Sequence, residues 1–244
     1  MRRSRLRPGP RPADTLLLRR KRAPIFQQKE PGSKWAVPEL CYAARTMEKP
    51  APAQFPIHPL LARRWSPRAI DPDRPLELEK LRLLLEAARW APSSGNEQPW
   101  RFLVFDGRDP GALESARACL VEGNAWARKA PVLLLSVAAE TFVRNGKPNP
   151  TARHDLGLAT ENLLLQATEL ELTVHPMAGF DSGKARAQFR IPEGFTPTAM
   201  IALGYPGRVE ELPEELQKRE AAPRTRKPVE EWVFSGTWGN PLQV

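Results

Sequence analysis

One sheet covered by helices is the fold class this sequence predicts, and three observations predict it. Segments with helical apolar spacing alternate with short apolar runs of strand character. Those strand-like runs are too few for a doubly wound sheet. Apolar residues make up 41% of the 244 positions, enough to fill a core, while the longest apolar run, 130–139, is far too short to cross a membrane.

Each element has its own justification. From Leu76, apolar residues recur at three- and four-residue steps (Leu78, Leu81, Leu85, Ala88), so a helix with one apolar face is expected. Pro92 stops it just after Ala91. Residues 101–105 (RFLVF) read as a strand, 110–122 as a short helix, and 132–139 (VLLLSVAA), behind Pro131, as a buried strand. The longest helix covers 151–172, with Leu156, Ala159, Leu163, Ala167 and Leu170 on one stripe. Asp181 is the expected N-cap of the next helix, and 198–205 reads as a strand.

Charge is distributed unevenly. Residues 1–46 carry 12 basic and 3 acidic residues, and 47–244 hold 25 of each. The formal net charge of +9 therefore belongs to the leading segment and gives no reason to expect nucleic acid as the main domain's partner. That segment is rich in Arg and Pro and lacks sustained periodicity, so it cannot bury enough apolar surface to offset its ordering entropy. A basic tail, a targeting peptide, or sequence upstream of a true start at Met47 are the three readings; the last is the expectation. The domain proper is taken as 47–244. Two cysteines, Cys41 and Cys119, fit neither a disulfide framework nor a paired metal motif, so a reducing, cytoplasmic setting is expected.

Four clusters could carry chemistry. In RRWSPRAI, Arg64, Ser66 and Arg68 are two apart, so an extended backbone projects two guanidiniums and a hydroxyl to one side, an anion cradle; a solvated basic strand is the plain alternative. In APSSGNEQPW, Ser93, Ser94, Asn96 and Gln98 offer donors and acceptors and Gly95 permits close approach; a capped turn would use the same residues. HPMAGFD, 175–181, reads as a loop able to aim backbone N–H groups outward, or as a mere connection. Arg224 and Arg226 alternate near the C-terminus, ready for a phosphate or for solvent. Dinucleotide, P-loop and G-x-S-x-G fingerprints are absent. His58, His154 and His175 lack ligand spacing, so no metal is expected, and Cys119 reads as inert core.

Taken in order, these clusters resemble the FMN-dependent nitroreductase family over about residues 57–240. Pro-Ser-Ser-x-Asn-x-Gln-Pro-Trp is the most specific element. The resemblance implies an α+β fold with a central, largely antiparallel sheet wrapped by helices. It also implies an obligate homodimer with swapped C-terminal segments and two FMN sites in the interface. Arg64, Ser66 and Arg68, with Trp65 between them, correspond to the element touching FMN's phosphate, ribityl chain and pyrimidine edge. Pro92, Ser93, Ser94 and Asn96, with Gln98, correspond to the element supplied by the partner subunit. Pro176, Met177, Ala178 and Gly179 correspond to the stretch along one flavin face, with a backbone N–H, Ala178's, aimed at the hydride-accepting nitrogen. Arg224 and Arg226 correspond to the late pair on the phosphate. A mid-chain flavin ligand is implied from Asn124, Arg128 or Lys129. Ala178 stands where some members have an acidic residue.

The implied activity is NAD(P)H-dependent reduction of nitroaromatic, quinone or related acceptors by ping-pong hydride transfer, with the cofactor carrying the chemistry. No catalytic side chain beyond the flavin is required, and Arg68 is the expected stabiliser of charge on the reduced ring. Neither nucleic acid nor membrane is an expected partner of the main domain. A related flavin dehydrogenase, a non-catalytic flavin-binding redox sensor, and a nucleic-acid binder acting through the basic tail are the rival readings.

Overall fold

The computed structural model describes residues 48–242; the expectations for the 1–46 leader and for Met47 lie outside the described residues. Four strands build one sheet in the order β1-β2-β4-β3, every neighbouring pair antiparallel. They are β1 (Trp100–Asp106), β2 (Val132–Ala139), β3 (Thr173–Met177) and β4 (Phe195–Gly204). The helices are α1 (Pro59–Arg63), α2 (Leu78–Arg89), α3 (Pro110–Arg117), α4 (Ala152–Glu169), α5 (Ser182–Gln188) and α6 (Glu214–Ala221), with a 3-10 segment at Glu122–Lys129.

The sheet is buried on both faces, which explains why β2 reads as an unbroken apolar run rather than an alternation. Val132, Leu134 and Ala138 of β2 join α2 and α4 in one core cluster, and Leu133, Leu135 and Val137 join α3, the 3-10 segment and α5 in the other. At the irregularity between Ser136 and Val137, the buried Ser136 hydroxyl donates to Ala199 O and accepts from Ala199 N, both at 3.1 Å, so no polar group is orphaned there. The stripe expected on α4 is buried throughout, from Leu156 to Leu170 just past its end. Each of its leucines contributes roughly 1.5–3 kcal/mol by leaving water. Cys119 is buried in the core, and Asp181 caps α5 by accepting from Lys184 N at 2.8 Å.

Four expectations need correction. The buried face of α2 is Leu81, Leu84 and Ala88, while Leu78 lies in the first turn and is exposed. The helix expected over 110–122 ends at Arg117, because the following backbone turns to pair with the 179–181 segment: Leu120 bridges Phe180, and Asp181 N donates to Cys119 O at 2.8 Å. The helix expected over 151–172 ends at Glu169, and Glu171 takes a left-handed φ of 58° to redirect the chain. Residues 175–177, read as loop, belong to β3. Pro176 suggested a loop because it donates no ladder hydrogen bond, yet β3 is an edge strand, where proline is tolerated.

Candidate functional site

Arg64 leaves α1 in extended conformation, and residues 64–68 are not a strand of the sheet. The backbone of this segment is held by side chains from distant parts of the chain. Arg224 donates to Lys49 O (2.8 Å), Ala62 O (2.7 Å) and Arg64 O (2.9 Å). Glu220, wholly buried on α6, accepts from Arg68 N at 3.1 Å and pairs with Arg68 Nη1 at 2.9 Å. From β3, His175 Nδ1 donates to Pro67 O at 3.1 Å and Thr173 Oγ1 to Ala69 O at 3.5 Å. A carbonyl only accepts, so neutral His175 carries its proton on Nδ1. Edge strand and C-terminal region together fix the segment.

Its side chains include two cations, Arg64 and Arg68. Arg64 lies 3.4 Å from the Ser66 hydroxyl and 3.7 Å from Glu161 of α4. Burial, reinforced by the Arg64 and Arg226 cations, pushes the Arg224 guanidinium below its usual range. Burial raises Glu161's carboxyl, and Arg64 only partly offsets it. Four guanidiniums, Arg64, Arg68, Arg224 and Arg226, thus belong to one region whose described acidic partners are Glu161 and Glu220. A dianion such as a phosphate monoester would relieve that excess. The Lys49 ammonium sits 4.9 Å from the Trp65 ring centroid.

The end of β3 completes one wall. The His175 ring lies 4.8 Å from Trp126, which is also 6.0 Å from the Arg68 guanidinium. Burial, followed by repulsion from Arg68, outweighs the backbone hydrogen bond to Pro67 and lowers His175's pKa to about 4. Met177 points into the core, so only its backbone is available to a ligand, whereas Ala178 is exposed. Asn124 Nδ2 donates to Gly179 O at 2.9 Å. A Cβ at Gly179 would stand 2.6 Å from that nitrogen, so a side chain here would have to push the Asn124 amide aside. Of the three mid-chain candidates Asn124 alone touches this wall. Arg128 turns back to Leu120 O and Glu122, and Lys129 is exposed.

The 92–98 loop is held elsewhere. Ser94 N donates at 3.0 Å to Asp155, buried in the first turn of α4, which also accepts from Thr151 and His154. Burial would raise the Asp155 carboxyl, but these hydrogen bonds outweigh it and the pKa is lowered. Gly95, Asn96 and Gln98 all have positive φ, near 60°, 55° and 52°. Ser93 Oγ accepts from Gln98 N at 3.0 Å, Glu97 accepts from Val143 N, and Arg144 packs against Gly95. Pro92, Ser94, Asn96 and Gln98 are exposed. Asp155 and Glu161, six residues apart on α4, anchor the two clusters about 9 Å apart along its axis. Within one chain, the loop and the arginine cradle make separate sets of polar contacts.

Sequence reading singled out the cradle, the 175–179 stretch and the loop. It missed Glu220, Trp126 and Glu161. Nothing local marks them, because their significance comes from tertiary contact with Arg68, His175 and Arg64. Among the described residues no group of three His, Cys, Asp or Glu side chains could hold a metal ion.

The structure is a helix-covered antiparallel sheet with an arginine cluster held against its β3 edge. The chain belongs to the Nitroreductase family, whose model matches residues 61–205. A solved structure described as an oxidoreductase containing FMN shares the fold, with 34% identity and a TM-score of 0.72 over 78% of this chain and 96% of that one. Protein DrgA of Synechocystis is 33% identical over 62% of this chain and 83% of its own length. The NADH dehydrogenase of Thermus thermophilus is 30% identical over 52% of this chain and 75% of its own.

Proposed function

We propose that this protein is an FMN-dependent oxidoreductase that takes electrons from NAD(P)H and delivers them to nitroaromatic, quinone or related acceptors in alternating half-reactions. The observation that carries this reading is the arginine cradle, whose backbone is pre-fixed from Glu220, Arg224, Thr173 and His175. It is supported by family membership and by FMN in the solved relative. The name of the Thermus relative favours a nicotinamide donor.

FMN, when bound, supplies hydride acceptance and release; the chain supplies orientation and charge. Arg64 and Arg226 hold the phosphate and Ser66 the ribityl chain. Arg224 acts behind them, on the carbonyls of Ala62 and Arg64, as a positioning residue. With FMN bound, Arg68 would meet the pyrimidine edge, where its fixed cation would stabilise developing negative charge. The backbone of Pro176–Gly179, whose Gly179 carbonyl accepts from Asn124, would help hold the flavin ring. Ser93, Ser94 and Asn96, with Pro92 and Gln98, serve the site of a second copy in a homodimer. The domain 47–244 is the working unit, in the cytoplasm; among the described residues no helix is long and apolar enough to cross a membrane.

The test is the visible spectrum of the FMN-loaded protein before and after anaerobic NADPH, then NADH. Bleaching of the flavin bands by either donor, and their return on adding a quinone, is the expected result. Flavin bands that never bleach would favour the sensor or dehydrogenase readings, and failure to take up FMN would refute the proposal.

A further inference from the structure

Arg68 has a counter-charge inside the protein. Glu220 is wholly buried, and its two carboxylate oxygens are both engaged by Arg68: Oε2 by the backbone N–H at 3.1 Å, Oε1 by Nη1 at 2.9 Å. Its backbone oxygen accepts from Lys49 Nζ, which ties α6 to the chain that precedes α1. A guanidinium has five N–H donors, and Glu220 engages one of its nitrogens, so others remain to face a ligand. If orientation were the only need, the backbone contact and a neutral acceptor would serve. A full negative charge buried behind the cation does something more. It subtracts from the positive potential that Arg68 projects forward, and in a dry site that subtraction is felt over several ångströms.

We propose that Glu220 acts through Arg68 as a positioning residue that sets how readily bound FMN accepts electrons, holding its reduction potential below the value an unpaired Arg68 would give. This rests on the proposed placement of the flavin's pyrimidine edge at Arg68. The sign follows from charge. Reduction places negative charge on that edge, the carboxylate opposes it, and removing the carboxylate's charge favours the reduced state.

The experiment is dye-equilibrated reductive titration of the FMN-loaded full-length protein, together with Kd values for oxidised and reduced FMN. Glu220→Gln keeps an oxygen to accept from Arg68 and removes the charge. Its potential is expected to rise, reduced FMN binding at least tenfold more tightly relative to oxidised FMN than in the parent. Glu220→Asp, which keeps the charge, is expected to stay near the parent potential whatever stability it loses. Arg68→Ala is expected to move the potential the other way. Glu220→Met repeats the neutralisation if the amide variant fails to fold. Equal weakening of oxidised and reduced FMN in Glu220→Gln, with an unchanged potential, would overturn the inference and leave Glu220 a purely structural anchor. An unchanged potential in Arg68→Ala would instead overturn the placement of the flavin edge.

Discussion

His175 shows how one side chain links local geometry to pH. Burial holds it neutral with a pKa near 4, against an ordinary 6.5, while its Nδ1–H secures Pro67 O. Between those values the unfolded chain binds a proton that the folded chain refuses. Stability is therefore complete above about pH 6.5 and declines as pH falls toward 4, by about 3 kcal/mol in total from this group. His175→Asn retains a donor for Pro67 O and no longer titrates. Urea unfolding at pH 4.5 and 7.5 should show a smaller difference for the variant than for the parent, and an equal difference would remove His175 as the source. Gly179 makes the complementary case. Alanine there would force Asn124 away, since its Cβ would fall 2.6 Å from Nδ2. The expected result of Gly179→Ala is FMN binding weaker by about tenfold, or about 1.4 kcal/mol, read by quenching of flavin fluorescence. Unchanged affinity would mean that the wall from Asn124 to Gly179 does not meet the cofactor.

At the scale of elements, what was legible in the sequence depended on whether a segment's pattern had one cause. On α4 the apolar period reflects only burial, so the buried positions of Leu156, Ala159, Leu163 and Ala167 follow from their spacing alone. Leu163→Ala should accordingly cost about 2–5 kcal/mol, checked by thermal unfolding, since the close-packed cluster of α2, α4 and sheet residues around it cannot collapse freely into the space. β2 was legible for the same reason. β3 was not, because Pro176 and Gly179 give the loop signal while pairing with β4 decides the backbone. α3 was overextended because the pull of Leu120 toward Phe180 is tertiary. The site divides likewise. The spacing of Arg64, Ser66 and Arg68 left a solvated basic strand as open as an anion cradle and only the family resemblance singled them out, whereas Glu220, about 150 positions away, carries no local mark. Arg224 was found as a cation, but not as the clamp on three carbonyls that it is.

For the whole molecule, the separation of the 92–98 loop from the arginine cradle is accounted for by the proposed homodimer. The loop is rigidly built, with three left-handed residues and a buried Asp155 beneath Ser94, yet most of its side chains face outward. Beyond α6 the chain exposes Trp232 and Trp238, the latter 91% accessible and 4.9 Å from Phe234 between ring centroids, and near α1 it exposes Phe55, Ile57 and Leu61. These exposed apolar side chains are available to the partner in the proposed homodimer. A homodimer whose two sites each take Arg68 from one protomer and the loop from the other makes a quantitative demand. Arg68→Ala and Asn96→Ala should each be poor enzymes alone. Co-expressed, they form mixed dimers in which one site receives both lesions and the other receives neither. With random pairing about half the dimers are mixed, so the population should recover about a quarter of parental NAD(P)H–quinone turnover. Sites contained within single protomers would recover nothing beyond the average of the two variants, and that outcome would exclude a shared site even if light scattering showed a dimer.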